Sequence, residues 1–177
     1  MAAELLSPTV ALTRYFVTPD QEQGLPEAAD GTARVQRYGF RIGAYRFVHD
    51  LSLAVELLEL PRCYALPNAR EWFAGLVNLR GNLVPVFDLK SLLGASGPTS
   101  YRNMLLVIGK GERVAGMVID GTPDHITIDA GSRVENPEHV PDVLREFLQG
   151  AYDYAGEVWL QLNYEGLFES LAQRTAE

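Results

Sequence analysis

Asp120, Asp124 and Asp129 lie within the stretch IDGTPDHITID, and paired carboxylates are the usual currency of general acid and base catalysis. The same stretch carries Asp-Gly and Pro-Asp dipeptides, which form turns for purely local reasons, and the turn reading is preferred. A small hydrolase or ligand-binding barrel built on these three aspartates stands as the alternative. The other reactive residues are scattered. His49, His125 and His139 have no second His or Cys at metal-ligand spacing, so no metal site is expected. Gly109 and Gly111 in GKGER are followed by no helix signal and read as a hairpin turn, not a phosphate cradle. Ser52, Ser91 and Ser96 sit in no nucleophile elbow, and Cys63 has no His or Asn nearby in sequence. No motif demands an enzyme, and no cofactor is expected.

Two charged residues are placed more oddly. Arg80 sits at the tip of an apolar hairpin in GLVNLRGNLVPVFDLKSLL, and Glu56 interrupts the apolar strand around Val55 and Leu57. The bland reading is a solvated strand end. The functional one is a contact on an exposed hairpin, since hairpins backed by a rigid barrel are good platforms for partners.

The elements that position these residues are mostly strands. Sixteen Gly and ten Pro punctuate short apolar runs over 177 residues, which fits a strand-dominated domain or two small lobes. Tyr38, Phe40 and Ile42 alternate with polar neighbours before a Gly43-Ala44 turn into YRFV, and Leu51, Leu53, Val55 and Leu57 extend the period of two. Asn68 and Glu71 have capping-box spacing, which predicts a short helix over NAREWFAGL that buries Trp72 or Phe73. Strands are expected on either side of Arg80-Gly81-Asn82, followed by a helical turn capped by Asp88. Ahead of them, residues 1–34 read as a short helix beginning at Ser7-Pro8 and an acidic linker, leaving residues 35–177 as the folded domain.

Charge and cysteine usage narrow the setting. The net charge of -8, without a basic cluster, gives no footprint for nucleic acid. A single cysteine can form no internal disulfide, and no apolar run reaches the roughly 20 residues needed to span a bilayer. A cytoplasmic protein without membrane insertion is expected.

A repeat organises the chain. Residues 75–93 superimpose without a gap on residues 150–168 at an offset of 75, pairing Asn78 with Asp153, Gly81 with Gly156 and Asp88 with Asn163. Phe40 to Gly43 echoes Leu106 to Gly109 at an offset of 66. Two related lobes of about five strands each follow.

The run VNLRGNLVPVFDLKSLLG resembles the signature of CheW-like domains, an Asn-Leu-Arg-Gly hairpin followed by a Pro-bearing apolar strand and Asp-Leu. The resemblance extends upstream through FRIG and the Val-Glu-Leu-Leu strand and downstream through AGMVIDG to the final hairpin, about residues 35–171. It implies a mainly β fold of two intertwined five-stranded, SH3-like barrel lobes with short capping helices. It also implies a non-enzymatic scaffold that couples the cytoplasmic tip of a methyl-accepting chemoreceptor to the regulatory domain of a CheA-type histidine kinase, recruited to receptor arrays at the membrane. RYGFRIGAYRFV and the N-terminal extension are most similar to the pilus-associated, PilI-type members that serve twitching motility through type IV pili. Carried over residue by residue, the resemblance puts partner contacts at Arg80 and Gly81 of the hairpin and at Glu56, with Val55 and Asn78 beside them. Ala54 stands where the family pattern has Val, and Ala155 stands where the first hairpin has Arg80, so the two lobes cannot offer equivalent contacts.

Overall fold

The computed structural model describes residues 33–53, 55–95 and 102–175. The expected N-terminal helix and most of the expected linker lie outside the described residues. Nine strands form the body: β1 (Arg34–Ile42), β2 (Tyr45–Asp50), β3 (Val55–Glu59), β4 (Phe73–Leu79), β5 (Asn82–Phe87), β6 (Asn103–Ile108), β7 (Ala115–Asp129), β8 (Leu148–Tyr154) and β9 (Glu157–Leu162). Among the described residues three α-helices accompany them: α1 (Leu89–Leu92), α2 (Asp142–Arg145) and α3 (Tyr164–Thr175). No described helix is long and apolar enough to cross a membrane.

The sheet runs β3-β6-β7-β1-β2-β9-β8, with the β4–β5 hairpin joined to β7 through β5. The fifteen residues of β7 explain the shape. Its first half pairs with β6 and, in parallel, with β5, whereas its second half pairs with β1. One lobe is therefore β3, β6, early β7, β5 and β4, and the other is late β7, β1, β2, β9 and β8. Each lobe closes through one bridge to its second hairpin. Tyr64 N–H donates to the Leu76 carbonyl at 2.8 Å, and Val134 N–H donates to the Ala151 carbonyl at 2.8 Å. Leu76 and Ala151 are equivalent at the offset of 75.

The repeat holds to the residue. β4 and β8, and likewise β5 and β9, begin and end 75 positions apart. Both hairpins carry a bulge at the same place, between Phe73 and Gly75 and between Leu148 and Gly150. At Gly75 the chain passes so close to the first bridge that a Cβ would sit 2.4 Å from the Tyr64 carbonyl oxygen. Asp88 caps α1 by accepting from Lys90 and Ser91 N–H, and Asn163 accepts from Gly166 N–H in the first turn of α3.

Three apolar clusters follow the two lobes. A small one inside the first lobe contains Val77, Val84, Val86, Leu105 and Val107, and another in the second contains Val48, Ile126, Ile128 and Trp159. The largest fills the space between them, where Phe40, Phe47, Phe87, Met117 and Leu160 meet the inner face of α3 at Leu167, Phe168 and Leu171.

Three local expectations are overturned. Leu51 and Leu53 do not extend a strand: they form a turn in which Leu53 N–H donates to the Asp50 carbonyl. The chain must leave β2 in one lobe to reach β6 in the other, and a continuous strand cannot do both. The helix expected over NAREWFAGL is absent. Asn68 adopts a φ of 61°, and β4 starts at Phe73, so ladder pairing overrides the local capping signal. Phe73 is buried and Trp72 half-buried, each against Phe87. The IDGTPDHITID segment makes no turn, because it is the crossing half of β7. Gly121 supplies the bend at a φ of 75°, and Pro123 falls opposite the irregularity between Gly39 and Arg41 where the ladder needs no donor.

Phe87 has no exposed surface and stacks on Phe168 at 5.6 Å, tying the first lobe to α3. Phe87→Ala should lower the unfolding free energy by about 3–5 kcal/mol in urea titration. A loss under about 1 kcal/mol would show that the space between the lobes is loosely packed.

Candidate functional site

The β4–β5 hairpin turns in two residues, with Leu79 opposite Asn82 and φ values of 52° at Arg80 and 89° at Gly81. Both dihedrals are left-handed, as a two-residue turn matched to the strand twist requires. Asn is the usual first residue of such turns and Gly the second. Arg in that place carries a Cβ penalty of about 1–2 kcal/mol, so its guanidinium is not explained by the turn. Asn78 supplies the local support, its Oδ1 accepting from Gly81 N–H at 2.9 Å. Asp153 does the same for Gly156 at 3.3 Å in the second hairpin, where Ala155 has a φ of 56°.

Arg80 reaches back across the lobe to β3. Its Nη2 donates to Glu56 Oε1 at 2.5 Å and its Nη1 to Glu56 Oε2 at 3.2 Å, a bidentate fork. The pair is open to solvent, with side-chain exposures of 80% and 37%. Among the described residues β3 is an edge strand, bonded only to β6, so Glu56 stands where the described sheet ends. Between the pair and the strands lies a groove of about 810 Å³. Val55, Leu79, Val107 and Val114 form its apolar part, and Leu83 rises from it with 68% exposure. An exposed fork beside an open apolar groove can hold a partner's charged group while a side chain fills the groove.

Glu56, Arg80 and Val55 are thus brought together on one rim, whereas Asn78 and Gly81 act through the turn. The groove residues Leu83, Val107 and Val114 escape sequence reasoning, since only the folded lobe sets them side by side. Alternation along NLVPVF does mark Leu83 as facing away from Val84 and Val86.

The three aspartates do not converge. Asp120 is buried, accepting from Lys90 Nζ at 2.6 Å and from Gly43 N–H at 2.7 Å, so it joins α1 of the first lobe to the β1–β2 turn of the second. Asp124 lies exposed opposite Gly39, and Asp129 pairs with Arg34 at 3.0 Å. Four and five residues of strand separate them, on the order of 10 Å or more each, too far for an acid and base pair.

Among the described residues no group of His, Cys, Asp and Glu could hold a metal ion. His49 is 2% exposed and contacts Tyr38 and Phe40, with its Nδ1 at 2.9 Å from the Asp50 carbonyl. Burial lowers its pKa below the ordinary 6.5, and the neighbouring Asp50 only partly opposes this. Burial also raises the Cys63 thiol, which leaves it a poor nucleophile, and it pushes Tyr164, whose hydroxyl donates to the Val48 carbonyl, well above its usual range.

Two barrel-like lobes interlocked through one strand carry an exposed ion pair on a groove rim, and the chain belongs to the CheW-like domain family, whose model matches residues 37–172. Among curated proteins it is similar to the protein PilI of Pseudomonas aeruginosa, at 29% identity over 77% of each chain. It is also similar to the chemotaxis protein CheW of Rhizobium meliloti, at 26% identity over 77% of this chain and 89% of that one. The crystal structure of the scaffolding protein TtCheW from Thermoanaerobacter tengcongensis shares the fold, with a TM-score of 0.66 at 21% identity over 77% of this chain and 88% of that one.

Two outcomes test this description. Ala155→Gly should stabilise the protein by about 0.5–1 kcal/mol by relieving the left-handed strain, and Arg80→Gly should come out near zero, the same relief offset by the lost surface pair. A loss of several kcal/mol for Arg80→Gly in urea unfolding would return Arg80 to a structural role. The second concerns pH. With the folded pKa of His49 depressed, the unfolded chain binds the proton first, so stability falls as pH drops below about 6.5. Unfolding titrations between about pH 5 and 8 should show a shallower fall for His49→Gln than for the native chain; equal slopes would remove His49 as the cause.

Proposed function

We propose that this protein is a non-enzymatic adaptor coupling the cytoplasmic tip of a chemoreceptor to the regulatory domain of a CheA-type histidine kinase, in a pathway that controls type IV pilus (twitching) motility. The observation that carries the reading is the Arg80–Glu56 fork, exposed on the rim of an apolar groove and held in a turn whose geometry disfavours arginine. Membership of the CheW-like family supports the adaptor role, and similarity to PilI supports the pilus pathway. Recruitment to receptor arrays, rather than insertion in the membrane, follows from the same reading.

The contacts divide by chemistry. The fork offers a planar, two-donor guanidinium already oriented by Glu56, so little side-chain freedom is lost on docking. Leu83 and the apolar floor supply area, and the free edge of β3 offers unpaired backbone groups beside them. The alternative hydrolase reading loses its support, because the Asp120, Asp124 and Asp129 side chains are committed to or spread along β7.

Arg80→Ala and Glu56→Ala should each weaken binding of at least one partner by about tenfold or more, in calorimetric titrations against a kinase regulatory domain and a receptor-tip fragment. Their melting temperatures should stay within about 4 °C of the native protein. Unchanged affinity for both partners would reject the assignment of the fork.

A further inference from the structure

At the opposite end of the β4–β5 hairpin from Arg80 lies a second concavity, of about 360 Å³, lined by Arg70, Trp72, Leu92, Val143 and Arg174. Trp72 immediately precedes β4 and Leu92 closes α1 just after β5, so the hairpin's length, on the order of 20 Å, separates the two sites. The failed capping box is what makes this cavity. Residues 68–72 run as an irregular turn instead of a helix, displaying the exposed Arg70 beside the half-buried indole.

Its charge runs against the sign of the whole molecule. The chain carries a net charge of -8, and Arg34, Arg37, Arg46, Arg80, Lys90, Arg102, Arg113 and Arg145 each meet a carboxylate. Arg41, Arg62, Lys110 and Arg133 meet none among the described residues, but they line no part of this cavity. Arg70 and Arg174 face one cavity, and neither has an acidic partner among the described residues. Asp142, next to Val143, is held by Arg145 at 2.8 Å and lines no part of the cavity. Arg174 also complements the C-terminal end of α3, but that end calls for one cation and does not account for Arg70. A carboxylate can accept from two guanidiniums that line one cavity, and Trp72, Leu92 and Val143 give that anion an apolar neighbour site.

We propose that this cavity binds an acidic segment of a partner protein, with a carboxylate between Arg70 and Arg174 and an adjacent apolar side chain against the Trp72 ring. It is an anchor separate from the Arg80–Glu56 groove, so a partner can be held at the base of the hairpin while its tip remains free. The site goes beyond the adaptor reading and does not depend on it.

The test uses the full chain and two blocked pentapeptides, Glu-Glu-Leu-Glu-Glu and its Gln-Gln-Leu-Gln-Gln counterpart, with inorganic phosphate as a third probe. The readout is the indole N–H resonance of Trp72, assigned with Trp72→Phe, with Trp159 as the internal reference. The acidic peptide should shift Trp72 saturably, and the shift should fade at about 0.5 M salt, where charges are screened within a few ångströms. Arg70→Gln combined with Arg174→Gln should weaken binding at least tenfold without changing the melting temperature, whereas Arg80→Ala should leave it unchanged. An absent shift, an equal shift with the Gln peptide, undiminished binding by the double variant or weaker binding by Arg80→Ala would overturn the proposal. A matching shift from phosphate at the same concentration would also overturn it, reducing the cavity to a general anion site.

Discussion

Both lobes draw their hydrogen bonds from one strand. Because β7 gives its first half to β6 and β5 and its second half to β1, neither lobe has a complete sheet without the other. The constraint shapes the rest of the molecule. It forces the chain to cross between lobes after β2, puts a glycine bend at Gly121, and leaves the large apolar cluster between the lobes rather than inside either one. Asp120 sits at the crossing. Its bonds to Lys90 and to Gly43 N–H satisfy a carboxylate that burial would otherwise make costly, and they lock α1 to the turn of the opposite lobe. A residue with the look of a catalytic acid is thus a structural tie.

The rigid crossing makes a surface ion pair meaningful. An exposed fork such as Arg80–Glu56 contributes about 1 kcal/mol at most to folding, and the left-handed turn under it takes a comparable amount away. Its value lies in direction. Glu56 is fixed by the β3–β6 ladder and Arg80 by a turn that Asn78 braces, so the guanidinium is presented in one orientation over the groove. The second hairpin has the same turn, the same brace and the same bulge, but Ala155 in place of the arginine. In the second lobe the charged contact sits lower on the strands, where Arg46 on β2 pairs with Glu157 on β9. Duplicated architecture therefore carries two different surfaces.

Much of this was legible in the chain because it rests on local chemistry. The hairpin turn at Arg80 and Gly81, the Asp88 cap and the offset of 75 are short-range patterns whose physical cause travels with the residues, and each appears in the structure at its expected place. The surface pairing of Arg80 with Glu56 is also expected, from a hairpin arginine beside a neighbouring strand's glutamate, although 24 residues separate them. What failed were signals that local chemistry shares between two outcomes. Asn68 and Glu71 fit a capping box, yet Phe73 gains more from joining β4 and packing on Phe87 than a marginal helix could supply. Asp-Gly and Pro-Asp in β7 have turn chemistry, yet a strand shared by two lobes needs a bend and a missing donor at those positions. The groove around Leu83 and the paired arginines of the second cavity arise from tertiary juxtaposition alone, to which no spacing rule applies.

The central claim is that partners dock at the fork and the groove beside it. Amide hydrogen exchange on the full chain, alone and with a CheA-type regulatory domain or a receptor-tip fragment, reads that surface directly. The account predicts new protection in residues 55–59 of the β3 edge and in residues 79–85 around the hairpin tip with at least one of the two partners. Tight binding by both partners with no change in either segment would contradict it.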